Sequence, residues 1–324
     1  MSTPVLVTGA AGFIGMHVAQ RLLERGERVV GVDNYNDYYD PGLKEARAAE
    51  LSQHTAFEMV RGDIADHAMI GALVKQHGVK RIVHLAAQAG VRYSLENPFA
   101  YERSNLAGHL SLLEAARHNG VTHMVYASSS SVYGDRPLDG KGFSEDDPTV
   151  TPVSLYAATK RSCELLSQSY AHLYGFPLSG LRFFTVYGPW GRPDMAYFKF
   201  SQMMARGQAI EVYGEGKMAR DFTYIDDIVD GVIGVLDNPP PTGGHEVYNI
   251  GDSHPVGLMD MISTLEQALG LEAEKIMRPM QPGDVTATYA DVSKLRALTG
   301  YKPKVMLAEG LERFAAWWKA YYGH

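Results

Sequence analysis

Short apolar runs recur through the first half of the chain, and each gives way to small or polar residues. Val5-Leu6-Val7 leads into Thr8-Gly9, Arg28-Val29-Val30-Gly31-Val32 into Asp33, and Phe57-Glu58-Met59-Val60 into Gly62-Asp63. Arg81-Ile82-Val83-His84-Leu85 gives way to Ala86-Ala87-Gln88, and His123-Met124-Val125-Tyr126-Ala127 to four serines. Between these runs the apolar spacing predicts amphipathic helices from Met16 to Arg25 and over residues 66–77, 104–118 and 156–174. Strands alternating with helices predict crossover connections and an α/β fold with a doubly wound parallel sheet. In such sheets ligands sit at the carboxyl ends of the strands, where each polar group named above falls.

The turn after the first strand is Gly9-Ala10-Ala11-Gly12-Phe13-Ile14-Gly15. Strand, glycine turn and helix form the context of a Rossmann-type dinucleotide site, in which backbone N–H groups approach a pyrophosphate at the positive end of a helix dipole. The spacing is Gly-x-x-Gly-x-x-Gly. Asp33, at the end of the second strand, is placed to accept hydrogen bonds from ribose hydroxyls and to repel a 2′-phosphate. Asn34, Tyr35 and Asn36 follow it, with no arginine at once. The expected cofactor is NAD rather than NADP.

Further on, Ser128-Ser129-Ser130-Ser131 precedes Tyr156-Ala157-Ala158-Thr159-Lys160. Residues four apart share a helix face, and an ammonium beside a phenol favours the phenolate. A phenol of that kind with a hydroxyl partner moves a proton off or onto an alcohol, the companion step of hydride transfer.

Composition narrows the field. The chain has 324 residues, 45% hydrophobic and 21% charged, as in a folded protein large enough for two domains. A net charge of −7 gives no nucleic-acid footprint. Neither a signal peptide nor an apolar stretch of membrane-spanning length is visible, so no membrane partner and a cytoplasmic location are expected. The one cysteine, Cys163, is expected to pack, and the twelve histidines show no metal-ligand spacing. Asp226-Asp227 reads as a helix cap rather than a catalytic pair.

The chain resembles the extended short-chain dehydrogenases/reductases and, within them, the nucleotide-sugar epimerases. Thr8-Gly9-x-x-Gly12-x-x-Gly15, Asp33, Gly62-Asp63, His84-Leu85-Ala86-Ala87, Ser128 to Gly134, Tyr156-x-x-x-Lys160 and Arg182 to Pro189 carry the resemblance. It implies tightly bound NAD. Asp63 and Ile64 would hold the adenine, and Leu85, Ala86, Ala87 and Gln88 would line the pyrophosphate and ribose. Phe13, Ile14, Asn34 and Asn105 complete the expected cofactor site, and Lys160 would bond the nicotinamide ribose. Ser129 would be the catalytic hydroxyl beside Tyr156.

Similar 4,6-dehydratases carry acidic residues after that hydroxyl, and similar uronate decarboxylases carry a glutamate at the second place; here Ser130 and Ser131 stand there. Thr185, the segment Pro189 to Ala196 and Asp33 to Asp40 resemble the UDP-uronic acid 4-epimerases. A planar arginine fork suits a carboxylate, so Arg192, with Thr185 and Ser130, is expected to receive the uronate. Arg92 is a second candidate. By resemblance Arg220 and Arg278 would bond the diphosphate, Tyr213 would flank the uracil and Asp284 would approach its ribose. The expected cofactor domain is 1–181 with segments returning near 219–250; residues 182–218 and 251–324 are expected to bind the UDP-sugar. A homodimer formed by the helices that follow Ser104-Asn105 and carry Tyr156 is also expected. A neutral UDP-hexose epimerase, a uronate decarboxylase and a non-catalytic NAD-binding regulator remain open alternatives.

Overall fold

The computed structural model describes residues 3–136, 140–281 and 285–324. Its first half alternates strand and helix: β1 (Val5–Thr8), α1 (Phe13–Glu24), β2 (Val29–Asp33), α2 (Pro41–Leu51), β3 (Phe57–Arg61), α3 (His67–His77) and β4 (Arg81–His84). Two single turns, α4 (Tyr93–Glu96) and α5 (Pro98–Tyr101), and a π-helical segment, Glu102–Ala107, lead into α6 (Gly108–Asn119). Then come β5 (His123–Ser129), α7 (Leu155–Tyr174) and β6 (Leu178–Phe183). The second half holds β7 (Thr185–Tyr187), α8 (Ala196–Ala205), β8 (Ile210–Val212), β9 (Ala219–Tyr224), α9 (Ile225–Asp237) and β10 (His245–Ile250). It ends with β11 (Pro255–Gly257), α10 (Leu258–Leu269), β12 (Lys275–Met277), α11 (Ser293–Thr299) and α12 (Leu307–Tyr322).

Seven strands form one sheet in the order β10-β6-β5-β4-β1-β2-β3, every pair parallel. The near-continuous apolar runs of β1 and β2 are buried at every position because helices cover both faces. Thr8 pairs with Val32 on one side and with His84 on the other. Strand order therefore reverses at β1, and a crevice opens beyond the carboxyl ends of β1 and β4.

The smaller sheet, β11-β9-β7, and the pair β12-β8 pack with α8, α10 and α12. Within residues 219–250, β10 returns to the large sheet, whereas β9 stays with β7 and β11. Tyr197, Phe198, Phe314 and Trp318 are buried in this half. Asp227 gives its carboxylate to the N–H groups of Lys304 and Val305, at 3.0 and 3.1 Å, rather than to its own helix. It joins two segments where a cap had been expected. No helix among the described residues is long and apolar enough to cross a membrane, and no group of three or more potential ligands there is placed to hold a metal ion.

Candidate active site

The glycine turn is shaped by contacts that no side chain would survive. Gly9 has φ +71°, and a Cβ on Gly15 would lie 1.9 Å from the Gly9 carbonyl oxygen. The turn therefore packs flat against the start of α1, whose N-cap, Gly12, supplies no side-chain hydrogen bond. The first N–H groups of α1 are left for an anion. Asp33 faces this turn: its Oδ2 accepts from Ala11 N–H at 3.2 Å and its Oδ1 from Tyr35 N–H at 2.9 Å. Those bonds orient a buried carboxylate at the crevice.

Across the crevice, Thr8 Oγ1 lies 2.7 Å from His84 Nδ1 and accepts from Ala86 N–H at 3.2 Å, which ties the end of β1 to the strip Leu85–Gln88. Asn105 continues the floor. Its Oδ1 accepts from Gln88 N–H at 2.8 Å, and its Nδ2 donates to Gln88 O and Thr159 Oγ1 at 3.1 and 3.0 Å. It sits in the π-helical segment, a local under-winding frequent at functional sites. The Cys163 thiol is buried against the Asn105 carbonyl and pushed up to about 11 by burial, as an inert packing group should be. Ile64 lines the crevice, whereas Asp63 turns its Oδ2 to Arg103 at 2.9 Å and its Oδ1 to Ala65 N–H.

Helix α7 begins where Ser154 Oγ accepts from Ala157 N–H at 3.1 Å, and this puts Tyr156 in its first turn. One turn later, buried Lys160 donates to the Ala127 carbonyl at 2.9 Å. At the end of β5, Ser129 Oγ donates to Ser131 Oγ at 3.1 Å and accepts from Ser131 N–H at 3.2 Å. Ser129, Tyr156 and Lys160 line one cavity together with Gly9, Gly12, Phe13, Ile14, Gly15, Asp33, Asn34 and Leu85–Gln88. The helix is anchored by Glu164, which accepts from Ser128 Oγ at 2.6 Å and from Arg182 Nε and Nη2, both at 2.9 Å. Burial pushes the Glu164 carboxyl up, but Arg182 and the other donors outweigh it and hold the group below the usual carboxylate range.

A second cavity adjoins the first and shares Tyr38, Ala89, Ser129, Tyr156, Arg192 and Met195 with it. Ser130, Thr185, Arg92 and Tyr213 line it as well, and the Arg92 guanidinium lies 5.0 Å from the Tyr213 ring centre. Arg192 bears on both cavities but already has a partner. Its Nε donates to Asp194 Oδ1 at 3.0 Å and its Nη2 to Asp194 Oδ2 at 2.6 Å. Tyr38 donates to the same Oδ2 at 3.2 Å. Burial works against the Arg192 charge, and Asp194 more than offsets that, so the guanidinium is held above its ordinary range and the carboxyl below its own.

Two expected substrate contacts, Arg278 and Arg220, have partners outside the cavity walls or at their edge. Arg278 pairs with Glu211 at 3.0 Å, and that carboxylate also accepts from Tyr213 at 2.6 Å. Arg220 donates to the carbonyls of Ala219 and Thr286 at 2.9 and 3.4 Å. Neither arginine lines the two cavities. Asp284 lies outside the described residues.

The model of the NAD dependent epimerase/dehydratase family matches residues 5–251, most of the chain. The chain belongs to that family. UDP-glucuronate 4-epimerase 3 of Arabidopsis thaliana is 48% identical over 98% of this chain and 77% of its own. A probable UDP-glucuronate 4-epimerase of Rhizobium meliloti is 46% identical, over 98% of this chain and 97% of its own. Among solved structures, the UDP-glucuronic acid 4-epimerase of Bacillus cereus, in complex with UDP-glucuronic acid and NAD, superposes with a TM-score of 0.92 at 37% identity, covering 98% of this chain and 100% of that one.

The family's cofactor fits the residues present. A cradle that any Cβ would fill, an uncapped helix start and an oriented carboxylate at the ribose position are the three things a dinucleotide needs. Sequence reasoning missed four members of this epimerase/dehydratase site. Lys44 and Tyr38 line it, Asp194 engages Arg192, and Arg47 lies beneath it. Their signal was present in Asp33 to Asp40, in Pro189 to Ala196 and in α2, but Lys44 and Arg47 look like the solvent face of an ordinary helix.

Proposed function

We propose that this protein interconverts UDP-glucuronate and UDP-galacturonate by NAD-dependent 4-epimerisation through a transient 4-keto sugar. The observation that carries the reading is the convergence of Ser129, Tyr156 and Lys160 on the cofactor cavity, with Ser130, Thr185 and Arg192 on its continuation. The glycine turn and Asp33 would hold NAD in the first cavity, where it would supply the acceptor and then the donor of the C4 hydride, returned to the opposite face of the sugar. Tyr156, as phenolate, takes the 4-hydroxyl proton and later returns it. Ser129 Oγ, oriented by Ser131 N–H, is the hydroxyl partner at that oxygen. Lys160 is fixed by Ala127 O and presents its ammonium one turn from the phenol. Ser130 and Ser131 offer no carboxylate, so the acid/base pair that elimination of water requires is missing at the two positions after Ser129.

In this reading residues 1–181 and the stretch around α9 and β10 hold the cofactor, and 182–218 with 251–324 hold the nucleotide sugar. Arg92 and Tyr213 meet its UDP end. The protein works as a homodimer: Leu95, Phe99, Leu110, Leu165 and Leu173 expose apolar side chains along α4 to α7, a face suited to a second copy. A cytoplasmic location fits a chain whose one cysteine is a free thiol.

The test is to incubate the purified protein with UDP-glucuronate, without added NAD, and to follow products by proton NMR. UDP-galacturonate is expected. A UDP-pentose, or conversion of neutral UDP-hexoses alone, overturns the proposal.

A further inference from the structure

We propose that Asp194, steadied by Tyr38, weakens and orients the hold of Arg192 on the sugar carboxylate, and that this lets the sugar turn over inside the site. The inference rests on the uronate reading above and adds a positioning residue to it.

A guanidinium has five N–H donors in one plane. Asp194 occupies one edge, Nε and one hydrogen of Nη2. The end edge, Nη1 with the second Nη2 hydrogen, is a parallel pair of donors matched to another carboxylate. Arg192 lines both cavities, Asp194 only the second, and Tyr38 the junction. A uronate therefore meets an arginine whose plane is set and whose charge is already balanced. Hydrogen bonds remain, but the long-range pull of a lone cation does not.

The pair is unlike a loose surface bridge, which contributes little. The two side chains are 26% and 25% exposed, and Asp194 has Tyr38 as a further donor. The backbone makes room for that hydroxyl: Gly90, at φ +97°, would place a Cβ 2.4 Å from Tyr38 Oη. A glycine is required for the tyrosine to reach Asp194.

Epimerisation gives this arrangement a purpose. When the keto sugar turns about its bond to the diphosphate, its C5 carboxylate crosses from one wall to the other. Each contact to it must break once per cycle. A lone arginine would stabilise the bound ground state more than the turning state, and such binding does not speed turnover.

Asp194→Asn keeps the shape and one acceptor oxygen but removes the charge. Calorimetry should find UDP-glucuronate bound about tenfold more tightly, the change expected when a charge-assisted contact strengthens. UDP-glucose binding should stay within about twofold of the parent, because it has no carboxylate for Arg192 to hold. The kcat for epimerisation should fall severalfold along with KM, NAD content should be unchanged, and Asp194→Glu should return both constants towards the parent. Weaker UDP-glucuronate binding, or unchanged kcat, would mean that Asp194 merely supports Arg192, and the proposal would be overturned. If the parent itself forms no UDP-galacturonate, the uronate reading fails first, and this inference falls with it.

Discussion

Arg47 is fully buried in α2, and its guanidinium holds the Trp190 carbonyl oxygen through Nε at 3.1 Å and Nη2 at 2.7 Å. It also donates to Ala11 O at 3.1 Å, Tyr39 Oη at 2.7 Å and Gly191 O at 2.9 Å. One side chain thus links the glycine turn to the loop that carries Arg192. Each of these acceptors is a neutral oxygen.

Arg47→Met should therefore leave several buried acceptors unsatisfied, each worth about 1–3 kcal/mol. A melting temperature lower by many degrees is expected in differential scanning, together with a raised KM for the UDP-sugar, since the Trp190–Arg192 loop loses its tether. A variant that melts with the parent would show that the links carry no weight.

Tyr156→Phe removes one oxygen from the first turn of α7. Turnover should fall by roughly 10²- to 10⁴-fold, the usual contribution of a positioned acid–base group. The absorbance of co-purifying cofactor should match the parent, because the glycine cradle is untouched. Substantial residual turnover would place the proton chemistry on another group.

Gly15→Ala tests the cradle directly. The added carbon would fall 1.9 Å from the Gly9 carbonyl oxygen, so the turn must open. Cofactor content after purification should drop to a small fraction of the parent's. Full retention would mean that the turn adapts without loss.

Acid should destabilise the fold through its buried imidazoles. Burial lowers His84 well below the ordinary histidine value, with His109 and Lys160 adding to the effect; burial takes His109 down to about 3 and His123 to about 4. The unfolded chain takes up these protons near pH 6.5 and the folded chain does not. Their contribution is complete above about pH 6.5 and shrinks as pH falls towards the folded values, by about 2 kcal/mol apiece at pH 5. Urea midpoints should drop markedly between pH 7.5 and pH 5. His109→Gln, which keeps a partner for Ser167 Oγ, should flatten that dependence.

The parallel sheet was legible because each strand is an apolar run ended by a polar group with a task. Strand bounds differ by a residue or so from those expected; β5, for example, runs on to Ser129. Helix α6 begins at Gly108 rather than 104 because residues 102–107 wind as a π-helix, and a single extra backbone residue per turn leaves no mark in apolar spacing. Arg192 was readable as a cavity cation, but its pairing with Asp194 was not, since two positions in a loop do not fix which way either side chain turns, and Tyr38 reaches Asp194 from 156 positions away in the chain. Arg278 and Arg220 show the converse problem. Sequence supplies the cation, but only the fold shows that Glu211 and backbone carbonyls hold them.

The bond between Glu164 and Arg182 separates two kinds of change. It bolts the helix bearing Tyr156 and Lys160 to the seven-stranded sheet, whereas Thr185, Arg192 and Tyr213 sit on segments outside that sheet. Substitutions in those segments can retune which sugar is accepted while the redox geometry is inherited intact. A scaffold divided in this way can diversify its substrates without having to reinvent its chemistry.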